Sequence, residues 1–365
     1  MRKSYTTVLK GKLGSGHFLW PFQQAMKYPL IKLSRSKRKS LTGPLHATIF
    51  CTYACNLRCY FCGLPDLNKE NISRGEKELS TEEMFILVRD LAAIKTTAIG
   101  FTGGEPMIRR DMPNILEKAV KLNILVHLSS NGYAFRSLDS TRDILDIGVH
   151  ATSISVDSSS AGTHDKMRGM KGSFDLVMKG IENINTVKSS HKNKISLTTT
   201  TILTDENLDE VEPLIKLLRE NYVSQIGFIP GHNFIWDDEQ KIMKCTSMIK
   251  DEKKANAVID FLIKSHQSYK DIENTPQYLN LMRQFIMGKP MPYDCYAGYA
   301  TLAVDSWGNI FPCFTYAEVK CSFDNIRNIP LKEYWKSQQI NVMRDRVREC
   351  HACYWNNQTE INLLF

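Results

Sequence analysis

Cys55, Cys59 and Cys62 stand at the spacing C-x3-C-x2-C. Thiolates are soft ligands, and three so close together suit an iron–sulfur cluster. Three ligands rather than four is the informative number. A cube of four irons held by three cysteines leaves one iron open to a ligand from outside the chain. Zinc is the competing reading, but a zinc site more often joins two C-x2-C pairs. The next such pair, Cys350 and Cys353, lies far along the chain. Ten cysteines in 365 residues is not the density of a disulfide framework. Cys51 makes a second triad with Cys55 and Cys59 that lacks the x2 step. It ends a strand-like segment and reads as a buried thiol.

A second set is spread over the C-terminal part: Cys295, Cys313, Cys350 and Cys353. The segment Ala303–Cys313 reads as a β-hairpin turning at Gly308. Four thiolates would saturate a cube, which then carries electrons rather than binding substrate; structural zinc is the alternative for such a set. Cys321 is a spare that could replace one ligand. Cys245 reads as isolated and inert.

The elements that must position these groups alternate from residue 46 onward. Strands are expected at His46–Phe50, Ala98–Thr102, Ile124–Ser129, Ala151–Val156, Ile195–Leu203 and Gln225–Ile229. Helices are expected between them. Ser80-Thr81-Glu82-Glu83 is a capping box, followed by Met84, Leu87, Val88 and Leu91 at helical spacing. In the helix over 207–218, Pro213 must lie in the first turns or bend it. Strand–helix alternation implies a parallel sheet with right-handed crossovers. Six units fit a (β/α)6 partial barrel, whose sites lie at the C-terminal strand ends. Polar motifs fall there. Gly103-Gly104-Glu105-Pro106 closes the second strand, Ser130-Asn131-Gly132 the third, and Ser155 the fourth, with Arg168 downstream. Alone, Asn131-Gly132 reads as a turn, Arg168 as a surface ion pair and His164 as structural.

With these motifs in this order, the chain resembles the radical S-adenosylmethionine (SAM) enzymes over residues 46–356. The resemblance implies a [4Fe–4S] cluster on Cys55, Cys59 and Cys62, whose open iron binds the amino and carboxylate groups of SAM. It places Phe61 by the adenine and gives Gly103, Gly104 and Glu105 the SAM amino group. Ser130 and Asn131 take the ribose, while Ser155 and Arg168 match family positions, the arginine on the SAM carboxylate. The C-terminal set resembles the SPASM/twitch extension. A full SPASM domain carries seven cysteines; the four here fit the shorter twitch type, with one auxiliary [4Fe–4S] cluster on Cys295, Cys313, Cys350 and Cys353. The implied chemistry is reductive cleavage of SAM to a 5′-deoxyadenosyl radical, which abstracts hydrogen from a substrate C–H. The auxiliary cluster would accept the electron left behind. Oxidation or cross-linking of a peptide or protein side chain ranks first. A sugar, aminocyclitol or lipid substrate is the alternative, and a non-enzymatic iron–sulfur or zinc redox sensor the contrasting class. An electron donor such as flavodoxin or ferredoxin is expected; nucleic acid is not.

The organisation expected is an arm over 1–45, the core over 46–230, a helical linker over 231–290 and the auxiliary domain over 291–365. Phe234 and Trp236 are candidates to touch substrate. Residues 1–40 hold ten Lys or Arg and no acid, so the rest of the chain carries +8 minus 10, or −2. The arm also holds Phe18, Trp20 and Phe22. Basic and aromatic residues together suit either packing on the main domain or an interfacial contact with anionic lipid. Pro21 and Pro29 are expected to interrupt a long helix there. No run of apolar residues is long enough to span a membrane. The N-terminus lacks a leader's apolar region, and oxygen-labile thiolates imply the cytoplasm, with the membrane surface as an alternative address.

Overall fold

The computed structural model describes residues 20–190, 195–237, 242–318 and 322–365. Six parallel strands form the core: β1 (His46–Phe50), β2 (Ala98–Thr102), β3 (Leu125–Ser130), β4 (Ala151–Ser155), β5 (Ser196–Leu203) and β6 (Gln225–Pro230). They pair in sequence order, each with the next. The sheet curls into the expected partial barrel. Its interior and helix layer share one large apolar core, from Ile49 and Phe101 to Leu214 and Phe228. The crossover helices start where local chemistry says they should. Ser80 caps the helix Thr81–Ala93 through the full capping box with Glu83. Pro213 sits in the first turn of Val211–Glu220, where a missing N–H costs nothing.

Two regions depart from the expectation. The segment after β6 is not purely helical: it opens with an antiparallel hairpin, β7 (His232–Asp237) and β8 (Ile242–Ser247), before the helices Glu252–Tyr269 and Pro276–Ile286. The auxiliary hairpin, β9 (Thr301–Val304) and β10 (Asn309–Phe311), does turn at Gly308, whose φ of 89° suits glycine. But β9 also pairs in parallel with β1. The auxiliary strands, with β11 (Asp324–Asn325), thereby extend the barrel's own sheet to nine strands.

The arm is one continuous helix, α1 (Trp20–Lys37), despite its prolines. Pro21 occupies the first turn. Pro29 is exposed, and so is Ala25, whose carbonyl it cannot reach; water can serve that carbonyl. The helix packs on the protein through Lys27, Ile31 and Ser34. Lys27 Nζ donates to the Pro44 carbonyl at 3.3 Å, to the Lys95 carbonyl and to Thr97 Oγ1 at 2.8 Å. Burial, with the Lys95 charge, pushes this ammonium down to about 7. Two cations of the arm are paired within the chain, Arg35 with Asp294 and Arg38 with Asp345, as the packing alternative expects. Among the described residues no helix is long and apolar enough to cross a membrane.

Candidate functional site

The first cysteine set lies on the loop leaving β1, and neighbouring strand ends hold that loop by backbone bonds. Cys51 N–H donates to Thr102 O (2.8 Å), Gly104 N–H to Thr52 O (2.7 Å) and Glu105 N–H to Ala54 O (2.9 Å). This contact explains the paired glycines. A Cβ on Gly103 would lie 2.2 Å from Thr52 O, and one on Gly104 2.1 Å from Ala54 O. The close backbone approach expected for a ligand is therefore made first to the cysteine loop. Both glycines also line a cavity with Cys55, Cys59, Cys62, Phe61, Ser130, Asn131, Ser155 and Arg168. Residues from four strand ends and one helix are thus gathered in one place.

Glu105 sits behind this cavity, 1% exposed. Its carboxylate accepts from Ser130 Oγ at 3.0 and 3.1 Å, from Asn131 N–H at 2.7 Å and from Met107 N–H at 3.1 Å. Burial nevertheless pushes its carboxyl up to about 7, against these donors. No ion pair among the described residues neutralises it.

Arg168 is buried rather than at the surface, and its partner is one the sequence reading missed: Nε lies 2.5 Å from Asp157 Oδ2. Burial opposes the guanidinium charge, but Asp157 and Cys59 outweigh it and raise the pKa. Nη1 reaches within 3.8 Å of Cys59 Sγ, and the guanidinium carbon stands 5.4 Å from the Phe61 ring centre. Asp157 N–H donates to His164 Nδ1 at 3.2 Å, so His164 supports this turn. Asn131 Nδ2 lies 3.9 Å from Cys55 Sγ and 2.8 Å from Asn56 Oδ1. Burial raises the thiols of Cys55 and Cys59. Three thiols with N–H donors aimed at two of them fit the donor set of a three-cysteine cluster.

The second set converges in an aromatic pack with Tyr53, Trp307, Phe311, Tyr316 and Tyr354. Cys295, Cys313 and Cys353 are buried there, and Cys350 is half-buried against it. Thr315 Oγ1 lies 3.1 Å from Cys313 Sγ and 3.7 Å from Cys353 Sγ. Burial pushes the Cys313 thiol up to about 11, and burial with mutual repulsion raises Cys295 and Cys353 further. Such thiols become thiolates only against a strong positive charge, which iron supplies. Among the described residues no three candidate side chains converge on a single-ion site; a cube spreads its thiolates over separate irons.

Cys245 is not isolated. It lies on β8, packs against this set and is close enough to Cys350 to feel its charge. Phe234 packs near His232 and Trp355. Cys321 and the side chain of Trp236 lie outside the described residues. Cys62 packs on the same aromatic cluster as the second set, so one apolar body joins the two thiol groups.

The profile of the radical SAM superfamily matches residues 49–218, and that of an iron–sulfur cluster-binding domain matches residues 295–354. The AdoMet-dependent heme synthase of Oleidesulfovibrio alaskensis is 25% identical, over 84% of this chain and 79% of its own length. The mycofactocin maturase MftC of Mycolicibacterium smegmatis is 28% identical, over 52% of this chain and 45% of its own. In fold, the crystal structure of Streptococcus suis SuiB bound to the precursor peptide SuiA has a TM-score of 0.64 at 15% identity, covering 94% of this chain and 79% of that one. The chain is an enzyme with a radical SAM domain and a C-terminal SPASM domain, which imply SAM, a [4Fe–4S] cluster and auxiliary iron–sulfur chemistry.

Proposed function

We propose that this enzyme oxidises a side chain of a peptide or protein, with Cys55, Cys59 and Cys62 holding the SAM cluster and Cys295, Cys313, Cys350 and Cys353 one auxiliary cluster. The bound cofactors supply hydrogen-atom abstraction from an unactivated C–H and an acceptor for the remaining electron. The chain's own residues bind and orient. Glu105, anchored by Ser130 and the Asn131 N–H, receives the SAM amino group, which replaces its missing cation. Arg168, steadied by Asp157, turns its remaining N–H groups to the SAM carboxylate and Cys59. Phe61 covers the adenine, Asn131 and Ser130 face the ribose, and Ser155 closes the cavity wall. The apolar body between the two thiol groups excludes water from the path between them.

The observation that carries the peptide reading is the β7–β8 hairpin. It packs beside the auxiliary cysteines through Phe234 and Cys245, and among the described residues its strands pair only with each other. Such free edges accept an extended peptide as an added strand. One observation favours a second reading, a tetrapyrrole. The heme synthase aligns over most of its length, whereas MftC aligns over less than half.

Anaerobic reconstitution tests both levels. The wild type should hold about eight irons. Replacing Cys55, Cys59 and Cys62 by Ala should remove about four of them and all 5′-deoxyadenosine formation. Cys350→Ala with Cys353→Ala should keep SAM cleavage and lose product. A random-peptide pool should stimulate 5′-deoxyadenosine release. Stimulation by an iron porphyrin alone would replace the peptide reading with the second one.

A further inference from the structure

Cys295 is held from both ends of the chain. From α1, Arg35 donates through Nη1 to the Cys295 carbonyl, and Nη2 lies 3.3 Å from Asp294. The same guanidinium stands 4.9 Å from the Tyr296 ring centre, and Phe365 stacks on that ring at 4.3 Å. One arginine therefore grips three consecutive residues.

From the last helix, Asn356–Asn362, the buried Asn362 reaches the sulfur itself. Its Nδ2 lies 3.6 Å from Cys295 Sγ. The amide orientation follows from its other bonds. Tyr296 N–H donates to Asn362 Oδ1 at 2.9 Å, and Gln358 Nε2 donates to it at 2.9 Å. A backbone N–H can only donate, so the oxygen must face Tyr296 and the amide hydrogens must face the sulfur. Asn362 lies outside the 295–354 stretch that the iron–sulfur domain profile matches.

We propose that Asn362 sets the reduction potential of the auxiliary cluster through an N–H···S bond to the Cys295 thiolate. This rests on Cys295 being a cluster ligand. Such a bond stabilises the more negative, reduced cluster more than the oxidised one, and so makes it a better electron acceptor. Asn362 is a positioning residue that acts through the sulfur, with Arg35 fixing the loop it needs.

The test is Asn362→Asp in the full reconstituted chain. The carboxylate keeps the bonds from Tyr296 and Gln358 but sets an acceptor against the sulfur. Iron should stay at about eight per chain. At a fixed poise the reduced-to-oxidised ratio of the auxiliary cluster, read by EPR, should fall about tenfold, a potential lower by about 59 mV. Pulsed EPR of the reduced wild type labelled with 15N-asparagine should show a nitrogen coupling on the auxiliary signal. Eight irons with an unchanged potential, or no 15N coupling in the wild type, overturn the role of Asn362. A wild type with only about four irons and no auxiliary signal overturns the ligand assignment beneath it. If the Asp variant loses its auxiliary iron, the 15N coupling in the wild type decides.

Discussion

Glu105 offers a pH signature for SAM binding. Its carboxyl is raised from 4.5 to about 7 by burial. With a folded value above the unfolded one, the native state holds a proton that the unfolded chain has released. The group's stabilising contribution is then complete below pH 4.5 and is lost as pH rises through about 7. At about 1.36 kcal/mol per pH unit, the ligand-free protein gives up about 3 kcal/mol over that window. If Glu105 receives the SAM amino group as proposed, binding reverses the preference, because an ammonium bonds the ionised carboxylate. At pH 6 only about one molecule in eleven carries that form, so apparent SAM affinity should be about tenfold below its plateau and recover by pH 8. Equilibrium dialysis of anaerobic, reconstituted protein between pH 5.5 and 8 measures this. In Glu105→Gln the limb near pH 7 should vanish. Absolute affinity should fall too, since the amide NH2 must then oppose the N–H of either Asn131 or Met107, at about 1–3 kcal/mol. An equal slope in wild type and variant, or no slope in either, refutes the reasoning.

Two further outcomes follow from packing. Gly104→Ala places a Cβ against Ala54 O at 2.1 Å and Tyr53 O at 2.8 Å, so the cysteine loop must move; iron analysis should show about four irons lost while the auxiliary set keeps its own. Lys27→Met leaves the Pro44 and Lys95 carbonyls without this donor and should destabilise the protein by about 1–3 kcal/mol, read as a lower melting temperature; an unchanged melting temperature would mean that α1 docks without it.

Much of the site is local chemistry and could be read directly from the sequence. The C-x3-C-x2-C spacing fits within one loop, and the capping box spans four residues. Each barrel strand announces itself by a short β-branched or apolar run. Gly103-Gly104-Glu105, Ser130-Asn131 and Ser155 could be placed because parallel strands present their C-terminal ends to one side. Other features needed partners far along the chain. The bond between β9 and β1 joins residues more than 250 apart and turns an appended domain into an extension of the barrel sheet. Arg168 carries no mark that says Asp157 will claim it, and Cys245 none that brings it to Cys350. Pro29 argues against a helix until its exposure shows that no buried bond is lost. Asn362 reads as an ordinary polar residue until Tyr296 N–H fixes its oxygen and leaves its amide hydrogens to Cys295. Spacing and periodicity encode what a few neighbouring residues decide among themselves; which distant groups meet, and therefore which charge or sulfur finds a partner, is decided only when the apolar core closes around them.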